Sequence, residues 1–245
     1  MQKQFGLIGF PLSHSFSKKY FEEKFATEKL QNCVYENFEI EHISSFPKLI
    51  SEQKNLLGLN VTIPHKQAVI KHLDELDETA KIIGAVNCIK IKNGKTIGFN
   101  TDVIGFEKTF SPLVKPHHAK ALILGNGGAT KAVEYVLRKI GIQYLIVSRT
   151  PSINQLSYAD INLFVMRDFK IIINCTPLGM FPNADDAPPI PYELLNWQHL
   201  CYDLIYNPEE TLFLKKAKAK GATTQNGLGM LKAQAEAAWE IWNKL

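Results

Sequence analysis

Short apolar runs alternate with amphipathic stretches along most of this 245-residue chain. That alternation predicts an α/β protein. Residues 5–10 form the first apolar run and predict a strand. Residues 17–27 predict a helix, with Tyr20, Phe21 and Phe25 on one side. Strands are expected at 34–40 and 57–63, and a helix at 65–72. Residues 86–92 and 95–99 flank Asn93-Gly94, a strong hairpin signal. A further helix is expected at 103–110.

A second pattern starts near Lys120. Residues 121–124 read as a buried strand followed by a glycine cluster. Ala129, Ala132, Val133, Val136, Leu137 and Ile140 then recur at helical spacing, and Gly141 closes the helix. Residues 144–147 are the next strand. This order of strand, glycine-rich turn, helix and strand is that of a mononucleotide-binding half. Residues 171–173 and 200–204 are expected strands. The chain ends in an amphipathic helix with Leu228, Leu231, Ala235, Ala238 and Trp242 along one stripe. The reading divides the chain into one domain at 1–101 and a nucleotide-binding domain at 102–225.

Composition narrows the classes. The formal net charge of +4 is mild, suits small anionic substrates, and comes with no basic arm of the kind a nucleic-acid binder carries. Lys215, Lys216, Lys218 and Lys220 read as a solvated helix end, where cations suit the dipole. No apolar run is long enough for a signal-peptide core or a membrane span. Cys33, Cys88, Cys175 and Cys201 are scattered without metal-ligand spacing, as are the seven histidines, most of them expected at the surface. Free thiols suggest a reducing cytoplasm, and no metal site is expected.

Several stretches can carry chemistry. Gly125-Asn126-Gly127-Gly128-Ala129 follows a strand and opens a helix, where backbone N–H groups and the helix dipole can hold a pyrophosphate. A tight turn before a helix fits the same residues, and Thr130 stands where the strict pattern has its third glycine. The next strand ends in Ser148-Arg149-Thr150 with no acid to bond a ribose hydroxyl. A guanidinium there can hold a 2′-phosphate and stack on adenine, which points to NADP. In Asn60-Val61-Thr62-Ile63-Pro64-His65-Lys66, strand alternation places Asn60 and Thr62 on one face. Pro64 is expected to end the strand and start a helix. Lys66 would then lie in a first helical turn, where the dipole disfavours its charge and suits it to proton transfer. A solvated helix lysine fits equally well. Asn100-Thr101-Asp102 precedes the next helix. Asp102 is either an N-cap or a carboxylate that orients Lys66. Ser13, Ser15 and Ser17 alternate, so an extended backbone would aim three hydroxyls one way. A polar loop capping the following helix is the other reading.

In this order the motifs resemble the shikimate dehydrogenase family. The matching runs are Gly9-Phe10-Pro11 through His14-Ser15-Phe16-Ser17, Asn60 to Lys66, Gly84-Ala85-Val86-Asn87 and Asn100-Thr101-Asp102. They continue with Gly125 to Ala129, Ser148-Arg149-Thr150, Asn174-Cys175-Thr176-Pro177-Leu178-Gly179-Met180, Tyr202-Asp203-Leu204-Ile205-Tyr206, and Gly227-Leu228-Gly229-Met230 through Gln234. Together they span nearly the whole chain.

The resemblance implies an α/β fold in which a Rossmann-like nucleotide domain with a parallel sheet joins an α/β substrate-binding domain, and residues 226–245 return to the latter. It implies NADPH-dependent reduction of 3-dehydroshikimate to shikimate, in aromatic amino acid biosynthesis. Lys66 and Asp102 would form the catalytic pair. Ser15 and Ser17 would hold the substrate carboxylate. Asn60, Thr62, Asn87, Tyr206 and Gln234 would bind ring hydroxyls or the carboxylate. Gly125, Gly127, Gly128 and Ala129 would cradle the pyrophosphate, with Arg149 and Thr150 on the 2′-phosphate. Met180, Leu204 and Gly227 would line the nicotinamide side. The expected partners are small molecules, not nucleic acid or membrane, with a monomer or homodimer as the assembly.

Three features depart from the family pattern: Lys18 stands where it has Pro, Ser148 where it has Asn, and the second basic residue it has a few positions later is missing, since Ser152, Ile153 and Asn154 are neutral. With Pro151 after Thr150, residues 156–168 must hold both a connection and a strand, so the wall beside an adenine should be short and open. The alternatives are a quinate/shikimate dehydrogenase using NAD, which Arg149 argues against, and a non-catalytic ligand-binding relative. Such a relative would have no need of both Lys66 and Asp102.

Overall fold

The computed structural model describes residues 2–12 and 15–244. The elements are β1 (Lys3–Gly9), α1 (Phe16–Thr27), β2 (Cys33–Glu39), α2 (Phe46–Glu52), β3 (Leu56–Val61), β4 (Glu75–Leu76), α3 (Glu78–Ile83), β5 (Cys88–Lys92), β6 (Lys95–Phe99) and α4 (Thr101–Phe110). They continue as β7 (Lys120–Leu124), α5 (Gly128–Lys139), β8 (Gln143–Val147), α6 (Leu163–Asp168), β9 (Ile171–Asn174), β10 (Leu200–Asp203), α7 (Leu212–Lys218), β11 (Thr223–Gln225) and α8 (Leu228–Asn243). The chain forms two compact units, one of Met1–Thr101 with Ala235–Leu245 and one of Asp102–Gln234.

The first unit holds a mixed sheet in the order β2-β1-β3-β5-β6-β4. β1 pairs in parallel with β2 and β3, while β3, β5 and β6 are antiparallel neighbours. β1 is covered on both faces, which is why its sequence is a continuous apolar run. Phe5 and Leu7 face a core with Phe21, Phe25, Tyr35 and Trp242; Ile8 faces another with Phe46, Leu59, Val69 and Ile89. Trp242 lies across Gly58, where an added Cβ would meet its ring at 2.3 Å, and its Nε1 donates to Ile89 O at 3.0 Å. The Asn93-Gly94 hairpin forms as expected, with Lys92 opposite Lys95.

The second unit is an all-parallel sheet in the order β11-β10-β9-β7-β8. This is the parallel sheet of a Rossmann-like fold. β7 is followed in space by β8 on one side and β9 on the other, so the strand order reverses between β7 and β9. Open α/β sheets bind ligands at such a switch point, outside the carboxyl ends of the strands.

Four expectations fail. The strand at 57–63 ends at Val61, and no α-helix occupies 65–72; residues 62–67 form turns, followed by a single 3₁₀ segment, Ala68–His72. Pro64 therefore starts no helix, and Lys66 lies in no first helical turn, so the dipole argument for it falls. Ser15 and Ser17 do not share an extended segment. Ser15 caps α1, accepting from Lys18 N at 3.4 Å, and Ser17 lies inside the helix; Ser13 is outside the described residues. Residues 156–168 hold no full strand: Leu156 makes one parallel bridge to Val147, and α6 follows. Finally His65, His118 and His199 are buried, each with a backbone carbonyl as partner.

Candidate active site

In the second unit, the turns after β7, β8 and β9 line one cleft of about 540 Å³. Gly125, Asn126 and Gly127 form one wall, Ser148 and Arg149 the next, and Cys175–Leu178 the third. Gly125 has φ +99°, a conformation that favours glycine. Nothing lies within 4 Å of a Cβ built on Gly127 or Gly128, so the backbone there is open to close approach. The first turn of α5 carries no acid. Thr130, which replaces the third glycine of the strict pattern, is buried, and its hydroxyl donates to Gly125 O at 2.9 Å. The residue thus braces the turn in the place where the strict pattern has its third glycine. Among the described residues that line the cleft, Arg149 alone is charged. Its loop is tied back at both sides of Leu156: Ser148 N donates to Leu156 O and Leu156 N to Ile146 O, both at 2.9 Å. An open glycine turn at a helix N-terminus with one guanidinium and no carboxylate fits a dinucleotide bearing a 2′-phosphate.

The same cleft contains residues that sequence reasoning missed. Tyr158, Ala187 and Pro189 line it. Tyr158 opens a 3₁₀ segment held by a reciprocal capping box between Ser157 and Asp160. Burial raises its phenol while Arg149 opposes that shift. Paired Ser and Asp three residues apart were the available signal.

Beyond β9 and β10 the geometry is set by Asp203, which is fully buried. Its Oδ1 accepts from Asn174 Nδ2 and from Ile205 N, each at 3.0 Å, and its Oδ2 from Thr211 Oγ1 at 2.6 Å. Asn174 Oδ1 in turn accepts from Thr176 N at 3.0 Å and Oγ1 at 2.7 Å. Gly227 packs on the following segment, where an added Cβ would meet Leu204 O at 2.1 Å. Leu204 and Tyr206 are half-buried and Met180 is exposed. α4, which carries Asp102 in its first turn, approaches α8 at Gly105, where an added Cβ would meet Gln234 Cβ at 3.0 Å. Gly105 stands one turn after Asp102 on α4.

The first unit holds a buried polar chain. Tyr35 donates to Asn60 Oδ1 at 2.7 Å, and its hydroxyl is also hydrogen-bonded to Ser17. Burial pushes this phenol well above its ordinary range. Asn60 Nδ2 donates to Asn87 O at 3.4 Å, and Asn87 Oδ1 accepts from Thr101 N at 2.6 Å. Thr62 N is held by Ile8 O at 2.9 Å, and Lys66 O accepts from Val86 N at 2.7 Å. The turn that presents Lys66 is further pinned by His65, whose Nε2 donates to Ile40 O at 2.6 Å.

The expected residues therefore fall into two groups. Ser17, Asn60 and Asn87 are linked through one network with Tyr35, with Thr62 and Lys66 on the adjoining turn. Gly125, Gly127 and Arg149 share the cleft; Gly128, Ala129 and Thr150 adjoin it in sequence without lining it. Leu204 meets Gly227. Asp102 stands in the first turn of α4 as its second residue.

A family model described as the shikimate dehydrogenase substrate binding domain matches residues 7–89. The shikimate dehydrogenase (NADP(+)) of Methanococcus aeolicus is 41% identical, over 98% of this chain and 91% of its own length. A crystal structure of a shikimate dehydrogenase in complex with NADP+ superposes with a TM-score of 0.87 at 37% identity, covering 100% of this chain and 91% of that one. One from Thermus thermophilus, in complex with NADP(H) and shikimate, gives 0.85 at 33% identity, covering 100% and 94%. With relatives this similar along nearly its full length, the chain belongs to the shikimate dehydrogenase family.

Proposed function

We propose that the protein is a shikimate dehydrogenase that reversibly reduces 3-dehydroshikimate to shikimate with NADPH, on the route to the aromatic amino acids. The observation that carries the cofactor choice is Arg149, the one charged side chain among the described residues of a cleft whose other wall is the Gly125–Gly127 turn. We read the second unit as the NADP-binding domain and the first as the substrate-binding domain.

Bound NADPH supplies the hydride. Gly125, Gly127, Gly128 and Ala129 hold its pyrophosphate, Arg149 and Thr150 its 2′-phosphate, and Met180, Leu204 and Gly227 border its nicotinamide. Ser15 and Ser17 grip the substrate carboxylate. Ser15 accepts from a backbone N–H, which leaves its own proton to donate. Asn60, Thr62, Asn87, Tyr206 and Gln234 bind the ring hydroxyls or the carboxylate. This orientation lowers the entropic part of the barrier. Lys66, oriented by the Asp102 carboxylate, gives a proton to the C3 carbonyl oxygen as hydride reaches the carbon. The reading also takes the protein to be cytoplasmic, a monomer or homodimer, with small molecules as its ligands.

The test follows absorbance of the reduced nicotinamide with shikimate and then quinate, each with NADP and with NAD. Turnover of shikimate with NADP is expected to be fastest. Faster turnover with NAD would reject the cofactor assignment in favour of a quinate/shikimate enzyme. Calorimetric binding of shikimate without turnover would identify a non-catalytic relative.

A further inference from the structure

We propose that Asp203 is a positioning residue, whose buried carboxylate holds the two segments that border the nicotinamide, 174–178 and 204–206, in register with each other. The proposal rests on the functional reading above for the identity of the bound group, and on this structure for the geometry.

Three donors converge on the side chain from three different segments: Asn174 Nδ2 from the end of β9, Ile205 N from the segment after β10, and Thr211 Oγ1 from the cap of α7. The links run on from there. Asn174 Oδ1 orders Thr176, whose Oγ1 accepts from Leu178 N at 3.2 Å, and both Thr176 and Leu178 line the dinucleotide cleft. Leu204 N donates to Asn174 O at 3.0 Å, and Gly227 N to Ile205 O at 2.9 Å. One carboxylate thus sits beneath both walls of that end of the site, with no water-facing surface of its own.

The protonation state matters because all three partners are arranged as donors. An ionised carboxylate accepts from all of them, and such charge-assisted bonds are the stronger kind. A carboxylic acid must turn one oxygen into a donor facing groups that already donate. Burial raises Asp203 to about 6, against the hydrogen bonds from Thr211, Ile205 and Asn174, which lower it. Cys175, Cys201 and Tyr192 feel its charge, and burial raises each of them, so they stay neutral through the neutral range. A buried charge held against its desolvation cost is poor evidence of a stabilising role, which leaves positioning as the role it serves.

The experiment compares the full-length wild type with Asp203→Asn and Thr211→Val. Hydrogen–deuterium exchange of 174–178 and 203–211, corrected for intrinsic rates, is measured from about pH 5 to about pH 8 alongside initial rates. In the wild type, kcat should show an acid limb at about pH 6, where the carboxylate takes up a proton and one of its oxygens no longer serves as a charged acceptor. Asp203→Asn should lose protection at every pH. Its kcat should be lower by roughly 10- to 100-fold, with KM for NADP+ within about threefold, and the acid limb should be gone. Thr211→Val removes a donor to the carboxylate and should move the limb to higher pH, while Thr211→Ser restores it. Unchanged protection in Asp203→Asn, or the same acid limb in it, overturns the proposal. If that variant does not fold, an unshifted limb in Thr211→Val overturns it instead. Absence of shikimate turnover in the wild type rejects only the functional reading, because the exchange data decide the positioning role on their own.

Discussion

The side-chain oxygen of Asn87 accepts twice from Thr101, from its backbone N–H at 2.6 Å and from its hydroxyl at 3.2 Å. Thr101 is the first residue of α4 and Asp102 the second. A buried amide of the β3–β5 region therefore fixes the start of the helix that carries the proposed catalytic carboxylate. Asn87→Ala leaves a buried N–H without this acceptor, and stability should fall by about 1–3 kcal/mol. Urea unfolding measures it. A change indistinguishable from zero would mean that the α4 start is held by other contacts.

Lys66→Ala should lower kcat by roughly 10²- to 10⁴-fold and raise KM for shikimate far less, the signature of a group that acts in the transition state. Its backbone is anchored through Val86 N, so the fold should survive the truncation. Steady-state rates at saturating NADP+ check this. A mutant that keeps more than about half of the wild-type kcat would rule out Lys66 as the proton donor.

Arg149→Ala should remove most of the preference for NADP over NAD and leave NAD turnover nearly unchanged. Losing one charge-assisted contact costs about 1.5–3 kcal/mol, or roughly tenfold to a hundredfold in affinity. The readout is kcat/KM for both cofactors. Persistence of the wild-type ratio would show that another group lining the cleft, such as Ser148 or Tyr158, reads the phosphate.

Tyr35→Phe removes the donor to Asn60 Oδ1 while keeping the ring stacked on Phe21 at 4.6 Å between centroids. A small stability loss of about 1 kcal/mol is expected, with KM for shikimate raised and KM for NADP+ unchanged. Equal effects on both KM values would place Tyr35 outside the substrate side.

Asp203 should also shape stability against pH. Its folded value, about 6, lies above the ordinary carboxylate range because of burial. The sign follows: its contribution is fully present below about pH 4 and is lost as the pH rises through about 6, at most ~3 kcal/mol. Buried His118 and His199, both lowered mainly by desolvation, act in the opposite sense, costing stability as the pH falls. The difference between wild type and Asp203→Asn cancels them. That difference, from urea titrations at about pH 5 and pH 7.5, should move in favour of the variant at the higher pH.

Much of this protein was legible in its residue order. Apolar periodicity placed nearly every strand of both sheets and the helix after the glycine turn, because β1 and β7 are central strands that must be apolar on both faces. The ordered motifs placed the candidate residues for the same reason: each needs a particular side chain at a strand end or helix start. What periodicity could not decide is where the backbone departs from regular elements. The strand expected at 57–63 and the helix expected at 65–72 meet in residues 62–67, yet these are held as turns by Ile8, Ile40 and Val86, partners distant in sequence. Ser15 and Ser17 alternate like strand residues, but the capping bond to Lys18 starts a helix between them. The chain from Tyr35 through Asn60 and Asn87 to Thr101, and the convergence of Asn174, Ile205 and Thr211 on Asp203, join residues that no local pattern relates. Local propensity is a property of neighbours along the chain. The pairing of buried polar groups is decided only when the sheets bring their strand ends together, because only then does an unpaired donor become costly.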